Sequence, residues 1–150
     1  MPDPAQQKLL DQIARDLIQL MPDGFDAATA RFRILTTLGQ IEGIASCGDG
    51  TTLVFSGFDQ STIDALKQLR QLMYRPGVGT WFSGSITVTR RGASDPQFSY
   101  DDEPCWTREV TDDDYAADLQ AFPRDPGHIP AWLVRRLPVA ASGPGGRGLA

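Results

Sequence analysis

The chain has 150 residues, 41% of them hydrophobic and 22% charged, which is enough to bury the core of one compact domain and too apolar for a largely disordered polypeptide. Its net charge of -5, from 19 acidic and 14 basic residues, argues against nucleic acid as a ligand, because that affinity needs clustered Lys and Arg to release counterions. No apolar run approaches the ~20 residues that a membrane-spanning helix requires, so no membrane partner is expected.

Asp3 followed by Pro4 reads as an N-cap with proline in the first turn, and Leu9, Ile13, Leu17 and Leu20 recur at three- and four-residue spacing until Pro22. The pattern predicts an amphipathic helix. After Asp23-Gly24, the segments 29–36, 40–47 and 51–56 are short, rich in Ile, Thr, Leu and Phe, and separated by Gly39 and by Gly48-Asp49-Gly50, which predicts three antiparallel strands. From Asp59 a helical period returns, with Ile63, Leu66, Leu69 and Met73 on one face, Lys67 and Arg70 beside it, and Pro76-Gly77 closing the segment. Residues 81–90 then alternate, Phe82, Ile86 and Val88 pointing one way and Ser83, Ser85, Thr87 and Thr89 the other. With 97–100 they form a late hairpin.

Beyond Trp106, three aspartates precede Tyr115 and Leu119 and suit the positive end of a short helix over 112–121. Pro123, Pro126 and Pro130 bend the chain before 131–137, and the Gly-rich residues 138–150 read as a disordered tail behind a single domain, 1–137. The expected fold class is α+β: two layers, an antiparallel sheet of about five strands, and both long helices packed on one face because each has one apolar stripe to bury. The C-terminal segment is expected at a sheet edge.

Charge is unevenly spread. From Asp95 to Asp118 there are nine acids and one base, a local balance of -8, while the rest of the chain sums to +3. Such runs are commonly a solvated face, but they also form recognition surfaces. Asp101, Asp102, Glu103, Glu109, Asp112, Asp113 and Asp114 are therefore the candidate binding residues, and Trp106 reads equally as a core or edge-packing residue and as an aromatic anchor with large area and a polar handle. Trp132, in the amphipathic stretch 129–137, reads as core.

Catalytic and cofactor motifs fare less well. Gly143, Gly145 and Gly148 spell GxGxxG, but only Leu149 and Ala150 follow, leaving no helix N-terminus to receive a pyrophosphate. His128 sits in a proline-rich turn without a GxSxG nucleophile to serve. The acidic runs lack the alternation and glycine of a calcium loop, and two cysteines with one histidine match no zinc framework, so neither metal nor cofactor is expected. A hydrolase using Asp101 and Glu103 has nothing to orient those acids. Cys47 and Cys105 could form one bridge, but a core of this size in a reducing compartment favours two free thiols. Asp3 and two prolines stand where a secretory signal would be basic and then apolar, so the cytoplasm is the expected compartment.

The order helix, three-stranded meander, helix and late hairpin resembles the YezG-like family of bacterial immunity proteins. Phe98-Ser99-Tyr100-Asp101-Asp102-Glu103-Pro104 is similar to that family's strand ending in an aromatic-acid segment. The strings Asp118-Leu119-Gln120-Ala121-Phe122-Pro123-Arg124 and Ile129-Pro130-Ala131-Trp132-Leu133 resemble its C-terminal portion, and the resemblance spans roughly residues 9–137. It implies a non-enzymatic cytoplasmic antitoxin that occludes the active site of a cognate toxin domain. The acidic segment suits a toxin with a basic cleft, such as a nuclease or an enzyme acting on a phosphorylated cofactor. A secretion chaperone or adaptor that holds an effector before export is the alternative, since small acidic α+β proteins of similar order also do this.

Overall fold

The structure, a computed structural model, describes residues 3–92 and 94–137. Helix α1, Pro4–Gln19, begins where Asp3 accepts the Gln6 N–H at 2.8 Å, with proline placed where no amide partner is needed. Its buried residues are Leu10, Ile13 and Leu17, while Leu9 is only partly buried and Leu20 is exposed, so the stripe is shifted from the expected one. Strands β1 (Phe25–Ile34), β2 (Gly39–Cys47) and β3 (Thr52–Phe55) form the meander, and helix α2 (Gln60–Leu72) follows. Strands β4 (Ser83–Thr89) and β5 (Ser94–Ser99) form the hairpin. β1 starts four residues before the expected strand, at Phe25, because its first half pairs with the far ends of both β2 and β4.

The sheet runs β3-β2-β1-β4-β5, antiparallel throughout, so the fold is the expected α+β sandwich. β1 is central. Its alternate residues Ala28, Ala30, Phe32 and Ile34 are buried with Ile86 and Val88 of β4 against Leu10, Ile13 and Leu17 of α1 and Ala65, Leu66 and Leu69 of α2. Both helices thus cover one face, and each fully buried Leu or Ile contributes roughly 1.5–3 kcal/mol by leaving water. The opposite face carries Thr29, Arg31 and Arg33 beside Ser85 and Thr87, and the Thr29 and Thr87 hydroxyls meet there at 2.9 Å.

A second apolar cluster holds the C-terminal segment. Helix α3 (Asp112–Ala121) and helix α4 (Ala131–Arg136) bring Tyr115 and Leu133 onto Leu35 and Phe82, with Trp106, Ile129 and Trp132 around them. This places the segment at the end of the sheet, where β1 stops and β4 starts, rather than along an edge strand. Phe82 is the reason: its backbone still joins the sheet, accepting from Ile34 N–H and donating to Ser99, while its ring turns to Tyr115 and Trp132. Both cysteines are free. The Gly-rich stretch, including the GxGxxG string, lies outside the described residues.

The two clusters are tied by a buried ion pair. Arg70 of α2 donates from both terminal nitrogens to Asp118 of α3, one at 2.7 Å, and from Nε to the Trp81 carbonyl at 2.6 Å. Asp118 also accepts the amide and hydroxyl of Thr36, each at 2.8 Å. Arg124 is a second clamp, donating to the carbonyls of Thr80, Tyr100 and His128. Its seat requires Gly79, whose φ is +104°, and a Cβ there would lie 2.3 Å from Arg124 Nε.

Candidate functional site

The acidic run leaves the end of β5 and crosses the open sheet face. Asp102 N–H donates to the Ser99 hydroxyl at 3.3 Å, and farther on Thr107 N–H donates to Gln40 of β2 at 3.2 Å while the Gln40 amide donates back to the Thr107 hydroxyl. The segment is therefore a strap anchored at both sides of the sheet.

Its acids do different work. Asp101 accepts from Arg124 at 3.2 Å, and its backbone carbonyl accepts the Trp132 indole N–H at 2.6 Å. Glu103 and Asp112 stand on two sides of Arg136, whose nitrogens lie 3.8 and 2.9 Å from their carboxylates. Asp114 completes a capping box with Thr111, accepting its N–H at 3.0 Å and its hydroxyl at 2.9 Å, and receives the Thr37 hydroxyl at 2.8 Å. The Thr111 backbone bond, more than any other, holds the Asp114 carboxyl below its ordinary range. Asp102, Glu109 and Asp113 are exposed and form no ion pair among the described residues. Asp113 borders a separate groove with Ala116, Ala117 and Gln120 of α3, so the eight candidate residues are a ridge only in the sense of a continuous run along the chain and do not line one pocket.

Trp106 is half-buried within that ridge. Its indole N–H donates to the Tyr115 hydroxyl at 2.9 Å, which makes it part of the second cluster. Burial pushes the Tyr115 phenol up and keeps it neutral under Arg136, whose guanidinium carbon lies 4.9 Å from the ring centroid.

Beside the strap lies a groove of about 340 Å³ that the acidic run alone did not suggest. Its floor is the open face: Arg31 of β1, Ser85 of β4, and Gln97 and Ser99 of β5, with Glu103 and Cys105 on the wall. Beneath that floor, on the helix-covered face, position 84 is glycine and leaves room for the Phe32 ring; a Cβ there would come within 2.5 Å of the Gln97 carbonyl and 2.7 Å of that ring. Arg33 is held by Glu42 at 2.5 Å, whereas Arg31, opposite Glu42 in register, is exposed and makes no ion pair among the described residues. Guanidinium, hydroxyl and amide groups of this kind can bond a partner's backbone carbonyls or carboxylates, while the free acids on the ridge can meet its lysines and arginines. Among the described residues, no group of three or more His, Cys, Asp or Glu is gathered as metal ligands. No helix among them is long and apolar enough to cross a membrane.

Compared with known proteins, the chain matches no protein-family model and no curated sequence.

Proposed function

We propose that the protein is a non-catalytic immunity protein, of the kind the YezG-like resemblance implies, which neutralises a cognate toxin in the cytoplasm by binding over its active site. The observation that carries this reading is an uncovered polar groove walled by Glu103 and Cys105, on a segment whose Asp102, Glu109 and Asp113 carboxylates are exposed and make no ion pair among the described residues. A toxin that handles nucleic acid or a phosphorylated cofactor has a basic cleft. Exposed carboxylates attract such a cleft over a Debye length of about 8–10 Å, and groove donors then fix its register. Asp118, Arg124 and Trp132, which stand in the strings behind the resemblance, hold this segment in place: Asp118 accepts from Arg70 of α2, and Arg124 and Trp132 both donate to Asp101.

The test is co-expression with the toxic domain encoded beside this gene, followed by association kinetics at low and high salt. Rescue of growth and a stable complex are expected. Changing Asp102 and Asp113 to Asn and Glu109 to Gln together should slow association about tenfold or more at low salt and flatten its salt dependence, with thermal stability unchanged. A toxin that stays equally lethal, with no complex on gel filtration, would refute the reading.

A further inference from the structure

The two edges of the sheet are built differently. β5 has Asp95 and Pro96 within its six residues, and a proline or a charge on an edge strand discourages a further strand from pairing. β3 has neither. No residue from 50 to 57 is charged or proline, and Val54 is 69% exposed and Leu53 43% exposed, one on each face of the strand. The Thr51 carbonyl accepts from Cys47 N–H, so alternation turns the backbone groups of Leu53 and Phe55 toward β2 and those of Thr52 and Val54 outward. No strand or side chain among the described residues pairs with that outward row.

We propose that the β3 edge accepts an extended, uncharged strand of the toxin, adding a sixth strand to the sheet; this rests on the immunity reading. The absence of charge along 50–57 selects a neutral segment, and Val54, next to Ile44 on the open face, selects a β-branched or aromatic residue opposite it. A second copy of this chain is the weaker occupant. Two four-residue edges bury far less than the roughly 1,200 Å² that a stable specific dimer needs, whereas a toxin strand would be one part of a larger contact that includes the groove.

The experiment uses the full chain, ¹⁵N-labelled, and the toxic domain encoded beside its gene. In the complex, amide exchange at Thr52 and Val54 should slow at least tenfold while Leu53 and Phe55, already bonded to β2, change little. Val54→Pro removes one outward N–H without touching the β2 ladder and should weaken binding about tenfold. Val54→Thr keeps that N–H and the strand preference and should bind within about threefold of the parent, and matching thermal melts establish that both variants fold. A complex that forms with Thr52 and Val54 unprotected and Val54→Pro at parental affinity overturns the edge proposal and leaves the immunity reading standing. No complex at all overturns both, and protection of Thr52 and Val54 in a homodimer without toxin overturns the choice of occupant.

Discussion

Replacing Asp118 with Ala removes the acceptor for two Arg70 bonds and two Thr36 bonds at once. Arg70 is 1% exposed and Asp118 3%, so water cannot take over without opening the joint between α2 and α3. Leaving one member of a buried pair uncompensated costs about 3–5 kcal/mol. A domain of this size loses roughly 2–4 °C per kcal/mol, so the melting temperature should fall by about 6–20 °C. The same variant should speed amide exchange over residues 101–136 ahead of the main core, because Asp118 joins the second cluster to the first. The double variant Arg70→Met with Asp118→Leu removes both charges and should cost less than Asp118→Ala alone. Urea unfolding followed by tryptophan fluorescence and circular dichroism measures each. A loss below about 1 kcal/mol for Asp118→Ala, or a double variant less stable than the single, would refute the assignment of this pair as the joint.

Three further outcomes follow from the ties around the ridge. Because the fold depresses the Asp114 carboxyl below its ordinary value of 3.8, its contribution is present above that value and lost as pH falls through the folded one; helicity measured by circular dichroism should drop as pH falls below 3.8, and Asp114→Asn, which has no carboxyl to titrate, should remove that acid-dependent part. Gly79→Ala puts a Cβ against Arg124 at a φ of +104° and should cost on the order of 2 kcal/mol or more in urea unfolding, while Gly127→Ala, with open space around it, should cost little. Arg136→Gln leaves Glu103 and Asp112 without their cation, so association with the basic toxin should quicken at low salt in stopped-flow mixing; an unchanged rate would mean that the ridge does not steer encounter.

The sheet and its two covering helices were legible because periodicity reports burial directly. The β-rich composition of 29–36, the alternation in 81–90 and the three- and four-residue spacing in 63–73 belong to single elements, so each can be read without its neighbours. Phe82 and the stripe of α1 were misplaced for a related reason: both lie at junctions where a second packing surface competes with the first. Leu9 and Leu10 are equally apolar, and only the seat of the helix against α2 and the sheet decides which one is buried. The strap over the open face was not legible, since its anchors, Gln40 and Thr107, are 67 residues apart and neither stands out in composition.

Arg70 shows what signal was present and passed over. It lies four residues after Leu66 and three before Met73, inside the apolar stripe, and a guanidinium on that face must find an acid elsewhere in the chain. The acid is Asp118, three residues after Tyr115 in α3, and those two positions are the buried ones there, not Tyr115 and Leu119. The same logic separates the rest of the acidic run. An aspartate becomes part of the scaffold when a donor from another element reaches it, as Arg124 reaches Asp101, Arg136 reaches Asp112, and Thr37 reaches Asp114. Counting nine acids in sequence therefore overstates the charge available to a partner, and changing all of Asp112, Asp113 and Asp114 would mix a loss of helix capping with a loss of steering. Asp102, Glu109 and Asp113 make no ion pair with another element among the described residues, so a change in association rate at those three positions reports on recognition and not on a lost scaffold contact.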